Sequence, residues 1–378
     1  MTKDVPAETG ILAPHRQLIS ELRWEAHKWL REQNFAEIVL PSVWTRSEEY
    51  GVEEFTLAHS RKGPELDLRL LQSPEFPLFN AMARGLGPSY TFGRCYRYEQ
   101  DASFSDGNYL MEFEQLVFAQ SGTTVEEMAA LTDQLVIRLA KVAGIRVDPR
   151  EFFHLGPAGL VPEHSTNGLA VESLVFLTFS EESTPSGREQ LLKRLGEAGA
   201  RVYALDGSAD MSGTGSPAAR ERFLIETDAD HRAAIEEIAG EAAGPGLNAT
   251  WNIYPPFRWR PGEVTDSTYD VRSITSRREK AADGGECIAD AELYLGGLEV
   301  IHIRGYADHA QFLENLQHAG LPNLRERYDY LLPALEAAPS GMVASFLGWE
   351  RLVAVLLGLP SASGVPYFPR AGNGAPRW

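Results

Sequence analysis

Apolar positions in this chain follow two different periods, and the alternation between them marks out its elements. In RQLISELRWEAHKWLREQNFAEIVLP (16–41), Leu18, Leu22, Trp29 and Leu30 fall on one side of a helix, and the run that follows reads as a strand closed by Pro41. TFGRCYRYE (91–99) and MEFEQLVFA (111–119) read as strands, with the polar, glycine-containing DASFSDGNY between them as a long hairpin loop. Near the other end, SFLGWERLVAVLLGLP (345–360) places Leu352, Val355, Leu356 and Leu359 at helical spacing directly after Glu350 and Arg351. A buried helix with an arginine at its mouth is an unusual construction.

The middle of the chain has its own alternation. VESLVFLTF (171–179) reads as a strand, Ser186 with Glu189 as a capping box opening a helix to about 197, and RVYAL (201–205) as a second strand. A Gly/Ser-rich connector, GSADMSGTGSP (207–217), leads to a strand RFLIET (222–227) and an acidic amphipathic helix over 228–244. This predicts a small α/β domain at 151–260 inserted between two parts of a larger α+β unit, 1–150 and 261–378.

The hairpin carries the first candidate chemistry. Arg97 and Glu99 are two apart on a strand and so point the same way, which lets a guanidinium meet a phosphate while a carboxylate meets an exocyclic amine. Phe113, on the facing strand, is placed to stack on a base. On this segment alone the bland reading stands equally well: an exposed charge pair beside a core aromatic.

Taken together, these segments resemble the signature motifs of class II aminoacyl-tRNA synthetases. YRYE (96–99) is similar to the second motif, GWER (348–351) to the third, and the helix and strand of 16–41 to the first. The branch most resembled is the aspartyl and asparaginyl one, through LLQSPEFPLF (70–79), like its substrate-binding segment, and AELYLGGLEV (291–300), like its metal-carboxylate strand. The resemblance implies an antiparallel sheet flanked by helices, a homodimer built through the first motif, and ATP with Mg2+ as cofactors. It implies that Arg97 holds the α-phosphate and substrate carboxylate, Arg351 the γ-phosphate, Glu99 the adenine amine and Phe113 the adenine face, with Glu350 beside them. Glu292 and Glu299 become the magnesium carboxylates. Gln72, Ser73, Glu75, Gln115 and Glu49 become contacts for the ammonium and carboxylate of an amino acid. Seven residues separate Glu292 from Glu299, which puts them on opposite faces of a regular strand, so a bend or bulge at Gly296–Gly297 is expected if both reach one site.

Departures from the family pattern bear on substrate. Tyr109 stands where the family has a phosphate-binding cation, a loss for which Arg304 or the basic run RSITSRREK (272–280) is a candidate replacement; a solvated charge run is the plainer reading of that loop. Leu78, Val117 and Tyr306 stand where the aspartyl enzymes have Lys, an acid and Arg, and a buried substrate carboxylate without a partner is costly. A more apolar or differently shaped amino acid is therefore expected. Ile301, His302 and Ile303 replace a triple glycine, and His302 between two isoleucines reads as a packed strand residue.

Composition adds boundaries. With 378 residues and 43% hydrophobic content the chain can bury a large core. Cys95 and Cys287 fit neither a disulfide framework nor a zinc spacing and read as structural thiols. No apolar run approaches the roughly 18 residues of a membrane helix, and MTKDVPAETG lacks the regions of a signal peptide, so a cytoplasmic location with no membrane partner is expected. Lys and Arg number 35 against 53 Asp and Glu, a formal charge of −18 that opposes polyanions on average. The first core helix is expected to begin near residue 15, so the anticodon-binding barrel that precedes the core in the aspartyl branch is not expected here. The expectation is a stand-alone enzyme that activates an amino acid as its adenylate and passes it to an acceptor other than tRNA, such as a small amine or a carrier protein. The alternatives are tRNA aminoacylation without an anticodon domain, and a non-catalytic paralogue that binds an amino acid or nucleotide.

Overall fold

The computed structural model describes residues 15–45, 54–57, 68–98, 110–145, 153–155, 173–179, 185–205, 222–227, 238, 249–254, 272–280, 286–295, 298–319, 328–338, 340–359 and 361–366. Among these, the strands are β1 (Ala36–Glu37), β2 (Val43–Trp44), β3 (Arg69–Leu70), β4 (Ser89–Tyr96), β5 (Glu112–Gln120), β6 (Phe153–Leu155), β7 (Ser173–Phe179), β8 (Arg201–Leu205), β9 (Arg222–Thr227), β10 (Ala249–Tyr254), β11 (Arg278–Lys280), β12 (Glu286–Ile288), β13 (Asp290–Leu295), β14 (Leu298–Gly305) and β15 (Val343–Gly348). The helices are α1 (Arg16–Glu32), α2 (Glu75–Ala83), α3 (Val125–Val142), α4 (Pro185–Glu197), α5 (Arg272–Thr275), α6 (His309–Ala319), α7 (Leu332–Ala337) and α8 (Trp349–Leu357).

The principal sheet has seven strands in the order β1-β4-β5-β15-β14-β13-β6. Every pairing in it is antiparallel except β1 with β4. Its ladders place residues in rows that run across four or five strands. One row is Thr91, Val117, Phe346, His302, Glu292; the next on the same face is Ser89, Ala119, Ala344, Arg304, Asp290. Because side chains alternate, Tyr90, Phe118, Ser345, Ile303 and Ala291 form a row on the opposite face.

That opposite face is the apolar one. Ile19, Leu22, Ala26 and Leu30 of α1, Met128, Leu135, Val136 and Leu139 of α3, and Leu352 and Leu356 of α8 pack against it in one buried cluster. These are the positions that helical periodicity puts on one stripe, with Leu18, Val355 and Leu359 at its margin. Arg138 of α3 ties down α1 through Glu25 and, at 2.8 Å, Glu32. A second cluster covers part of the other face: Phe76, Leu78, Phe79 and Met82 from α2, with Phe312, Tyr328, Leu331 and Leu335, lie against Val117, Ala119, Ala344 and Phe346. The remaining, polar part of that face is where the predicted site residues collect.

Some boundaries differ from the sequence reading. The strand after α1 contributes two ladder residues to the sheet and one further hydrogen bond, Ile38 N to Tyr90 O at 2.8 Å, before the chain leaves it. Helix α4 starts at Pro185, which puts Ser186 inside the first turn and not at the cap, as the fixed φ of proline favours at a helix start. Strands β7 to β10 form a separate four-stranded sheet in the order β10-β7-β9-β8, which accounts for the three strands read from 171–227 and adds ATWNIY, a strand the sequence reading passed over. Phe153–Leu155 pairs with β13, so the principal sheet extends past residue 150. The acidic helix expected over 228–244 lies, apart from Ile238, outside the described residues. No described helix is long and apolar enough to cross a membrane.

Candidate active site

On the β4–β5 side, Arg97 follows the end of β4 and its guanidinium carbon lies 5.3 Å from the centroid of the Phe113 ring. Its Nε donates to the carbonyl of Gln72 at 2.9 Å. The pairing of Cys95 with Phe113, together with the bond from Arg97 N to Met111 O at 3.0 Å, sets the two side chains on one face, as the hairpin predicts. Ser73 Oγ donates to Gln115 Oε1 at 3.4 Å and accepts from the Glu75 amide at 3.2 Å, so Gln72, Ser73, Glu75 and Gln115 form one buried or half-buried group beside Arg97. Gly93 makes this possible: a Cβ there would stand 2.5 Å from Cβ of Pro74, and the 72–75 segment would be lifted off the sheet. Buried Cys95 lies with its Sγ 3.5 Å from Gln115 Oε1. Glu49, Glu99 and Tyr109 lie outside the described residues.

Helix α8 supplies two side chains that diverge. Arg351 turns to β14, donating from Nη1 to the carbonyl of Glu299 at 3.1 Å, with the same nitrogen 3.6 Å from the Glu299 carboxylate. Glu350 turns to β5 and is buried, its two oxygens accepting from the Glu114 amide at 3.0 and 3.2 Å. Burial pushes the Glu350 carboxyl up to about 7, against the pull of that amide bond.

The metal-ligand candidates meet across the β13–β14 pair. Ligand atoms of Glu292, Glu299 and His302 all lie within 4.8 Å of one another. The two glutamates reach one face because the ladder slips: Leu293 pairs with Ile301 but Tyr294 pairs with Glu299, leaving Val300 as the extra residue of a bulge. The bend expected at Gly296–Gly297 falls outside the described residues, and the register slip at Val300 is what aligns the acids. The expectation that His302 is a packed strand residue also needs correction. Ile301 and Ile303 point into the helix-covered core, and strand alternation turns His302 the other way, to Asp290 (Nε2 to Oδ2, 3.1 Å) and Glu292 (Nδ1 to Oε1, 3.5 Å). Burial lowers the His302 pKa, but the Asp290 and Glu292 carboxylates override it and hold the ring up at about 9.

Next along this face is a buried ion network. Arg304 Nη1 lies 2.5 Å from Glu75 Oε1 and donates to Thr275 Oγ1 at 3.0 Å, and its Nε is 3.6 Å from Asp290. Tyr306 donates its phenolic hydrogen to the same Glu75 oxygen at 3.0 Å, and burial with that carboxylate pushes the phenol well above its usual range. Leu78 and Val117 are buried in the apolar wall alongside. Arg304, a candidate replacement for a phosphate cation, is therefore turned to Glu75. In the basic run, Arg277 pairs with Glu279 at 2.6 Å and Arg278 with Glu314. Sequence reasoning missed Asp290 and the Arg304–Glu75 pair. The signal available was an Asp-x-Glu on one otherwise apolar strand and a His-x-Arg on the next.

The geometry can be set beside known proteins. The sequence profile of the tRNA synthetases class II (D, K and N) matches residues 15–372. An aspartate–tRNA(Asp/Asn) ligase of Mycobacterium tuberculosis is 24% identical, over 95% of this chain and 71% of the ligase. A lysine–tRNA ligase of an Anaeromyxobacter species is likewise 24% identical, over 90% of this chain and 62% of that protein. Among solved structures, asparaginyl-tRNA synthetase from Pyrococcus horikoshii complexed with asparaginyl-adenylate aligns with a TM-score of 0.56 at 14% identity, covering 96% of this chain and 69% of that one.

Proposed function

This chain belongs to the class II tRNA synthetases of the D, K and N group, and from that premise we propose that it activates an α-amino acid with ATP, forming an aminoacyl adenylate and pyrophosphate. The observation that carries the proposal is the convergence, on one sheet face, of Arg97 with Phe113, of Ser73 with Gln115, and of Arg351 with Glu299. In this reading ATP stacks its adenine on Phe113 and Glu99 takes the exocyclic amine. Arg97 bridges the α-phosphate and the substrate carboxylate, and Arg351 reaches the γ-phosphate. A carboxylate oxygen of the amino acid attacks the α-phosphorus, and the bond to the bridging oxygen breaks as pyrophosphate leaves. Such a transfer needs positioning and charge neutralisation more than a general base. Glu292 and Glu299 would hold Mg2+, which supplies part of that neutralisation when bound; their ligand atoms, within 4.8 Å of each other and of His302, fit a small divalent cation.

The substrate side chain is proposed to be neutral. Arg304 is engaged with Glu75, while Leu78 and Val117 present only hydrocarbon. A second substrate carboxylate buried here would find no cation left to pair with. Glu49 and Gln72 are left to the substrate ammonium side of the pocket, while Glu75 is engaged by Arg304 and Tyr306. The acceptor is proposed to be other than tRNA, a reading supported by the formal charge of −18; the tRNA ligase names of the similar proteins favour the opposite reading. Trp24 on α1 and Val39 just after it are 71% and 91% exposed, which supports a homodimer through this region. The stretch between Leu155 and residue 260 is proposed as an insertion built around the four-stranded sheet.

ATP–pyrophosphate exchange with Mg2+ and a panel of amino acids, in the absence of tRNA, tests the proposal. Exchange with a neutral amino acid supports both activation and the pocket assignment. Exchange with aspartate alone overturns the pocket, and silence that is relieved by adding tRNA overturns the choice of acceptor.

A further inference from the structure

We propose that His302 is a third protein ligand of the cation site, oriented by Asp290, and that the site accordingly prefers a divalent cation more tolerant of imidazole than Mg2+, such as Mn2+. The inference rests on the reading that Glu292 and Glu299 hold the cation, and concerns what the chain adds to that pair. Three observations carry it. The ligand atoms of Glu292, Glu299 and His302 lie mutually within 4.8 Å, although Glu299 comes from beyond a register slip and His302 from the row opposite Glu292. The two ring nitrogens face different groups: Nε2 is 3.1 Å from Asp290 Oδ2 and 3.5 Å from Arg304 Nη2, and Nδ1 is on the side of Glu292, 3.5 Å from Oε1. Asp290 is wholly buried, with Arg304 as its other charged neighbour at 3.6 Å and neither carboxylate oxygen hydrogen-bonded among the described residues, so a small turn of the ring would let Oδ2 take the Nε2 hydrogen.

This is the arrangement that makes an imidazole a good ligand. A carboxylate accepting from one ring nitrogen sets the tautomer, leaves the lone pair on the other, and holds the ring against rotation. Here Nδ1 is the nitrogen nearest the glutamates, and a cation that binds it would displace the proton held there in its absence. A donor set of two carboxylates and one imidazole changes the selectivity of the site. Mg2+ favours oxygen ligands and near-ideal octahedral geometry, whereas Mn2+ and the later divalent ions accept imidazole nitrogen.

The test uses the full chain without nucleotide. Mn2+ is titrated by electron paramagnetic resonance with Mg2+ as competitor, and electron spin echo modulation is recorded on protein with natural or 15N-labelled histidine. The expected result is Mn2+ bound in preference to Mg2+, with a nitrogen coupling that changes on 15N labelling. His302→Ala should abolish the coupling and weaken Mn2+ roughly 10- to 100-fold, while Asp290→Asn should keep the coupling and weaken binding within a similar range. Circular dichroism confirms that each variant is folded; if His302→Ala is not, His302→Gln serves in its place. Bound Mn2+ without nitrogen coupling, or an unchanged Mn2+ affinity in the folded His302 variant, overturns the inference. Pyrophosphate exchange separates this from the functional reading: exchange without nitrogen coupling overturns the ligand and leaves activation standing, whereas coupling without exchange leaves the ligand and overturns activation.

Discussion

The β4–β5 flank and the β13–β14 flank present the same types of charged residue to one face of the sheet but hold them in different ways. Arg97 leans on a backbone carbonyl and an aromatic ring; Arg304, 3% exposed, leans on the Glu75 carboxylate and a threonine hydroxyl. The first set of contacts orients the guanidinium across the face on which Phe113 lies. The second set cancels the charge inside the protein. What separates a candidate catalytic arginine from a structural one here is the chemistry of its partners more than its place on the sheet. The lesson extends to the acids: Glu299 stands half-exposed beside Arg351, whereas Glu75 is sealed in.

Removing Arg304 is the strongest way to break this comparison. Arg304→Met would strand Glu75 as a buried charge facing only Tyr306, and losing one partner of a buried pair costs about 3–5 kcal/mol. Denaturant unfolding should register that loss, and Glu75→Gln in the same chain should recover much of it, since the coupling lies in the pair. An Arg304→Met protein of wild-type stability would mean that the flank is not held by internal neutralisation.

Arg97→Ala is expected to do the reverse. Loss of a cation aimed at developing phosphate charge costs on the order of 10²–10³-fold in rate, so pyrophosphate exchange should fall by about that factor. Unfolding free energy should move by no more than about 1 kcal/mol, because Arg97 is half-buried at the end of a strand and its truncation opens no cavity in the core. Wild-type exchange kinetics would remove Arg97 from the site, and a large loss of stability would erase the distinction between the two flanks.

The same contrast explains what could be read from the chain. The principal sheet and its helices were legible because α1 and α8 keep their apolar positions on one helical stripe and the apolar runs of β4 and β5 flank a polar, glycine-containing stretch. The contact of Arg97 with Phe113 was legible too, since one hairpin brings both residues together. Arg304 and Glu75 lie 229 positions apart, and the strand and the helix that carry them offer no local signal of their meeting. The slip at Val300 was hidden for a related reason: a bulge is a property of two paired strands, and neither strand's sequence alone shows where the ladder shifts. His302 was misjudged from its isoleucine neighbours, although alternation puts neighbours on the other face.

The smallest predicted effect compares two buried carboxylates. Glu75 has a cation; the Glu350 carboxylate accepts from a backbone amide, and burial raises its carboxyl from the ordinary 4.5 to about 7. A raised carboxyl means that the folded state holds its proton more tightly than the unfolded chain. Below about pH 4.5 both states carry the proton and the group is neutral in the balance. Between about 4.5 and about 7 the unfolded chain ionises first, so stability falls as pH rises, and above that window the deficit is constant at roughly 3 kcal/mol at most. Glu350→Gln removes the titration but keeps an oxygen for the Glu114 amide. The variant should therefore be more stable than the wild type at pH 8, and the difference should shrink steadily down to pH 5. Unfolding curves at three pH values decide it: a difference that does not vary with pH would show that burial of Glu350 is relieved in solution, and that this end of α8 is more open than the sealed flank around Glu75.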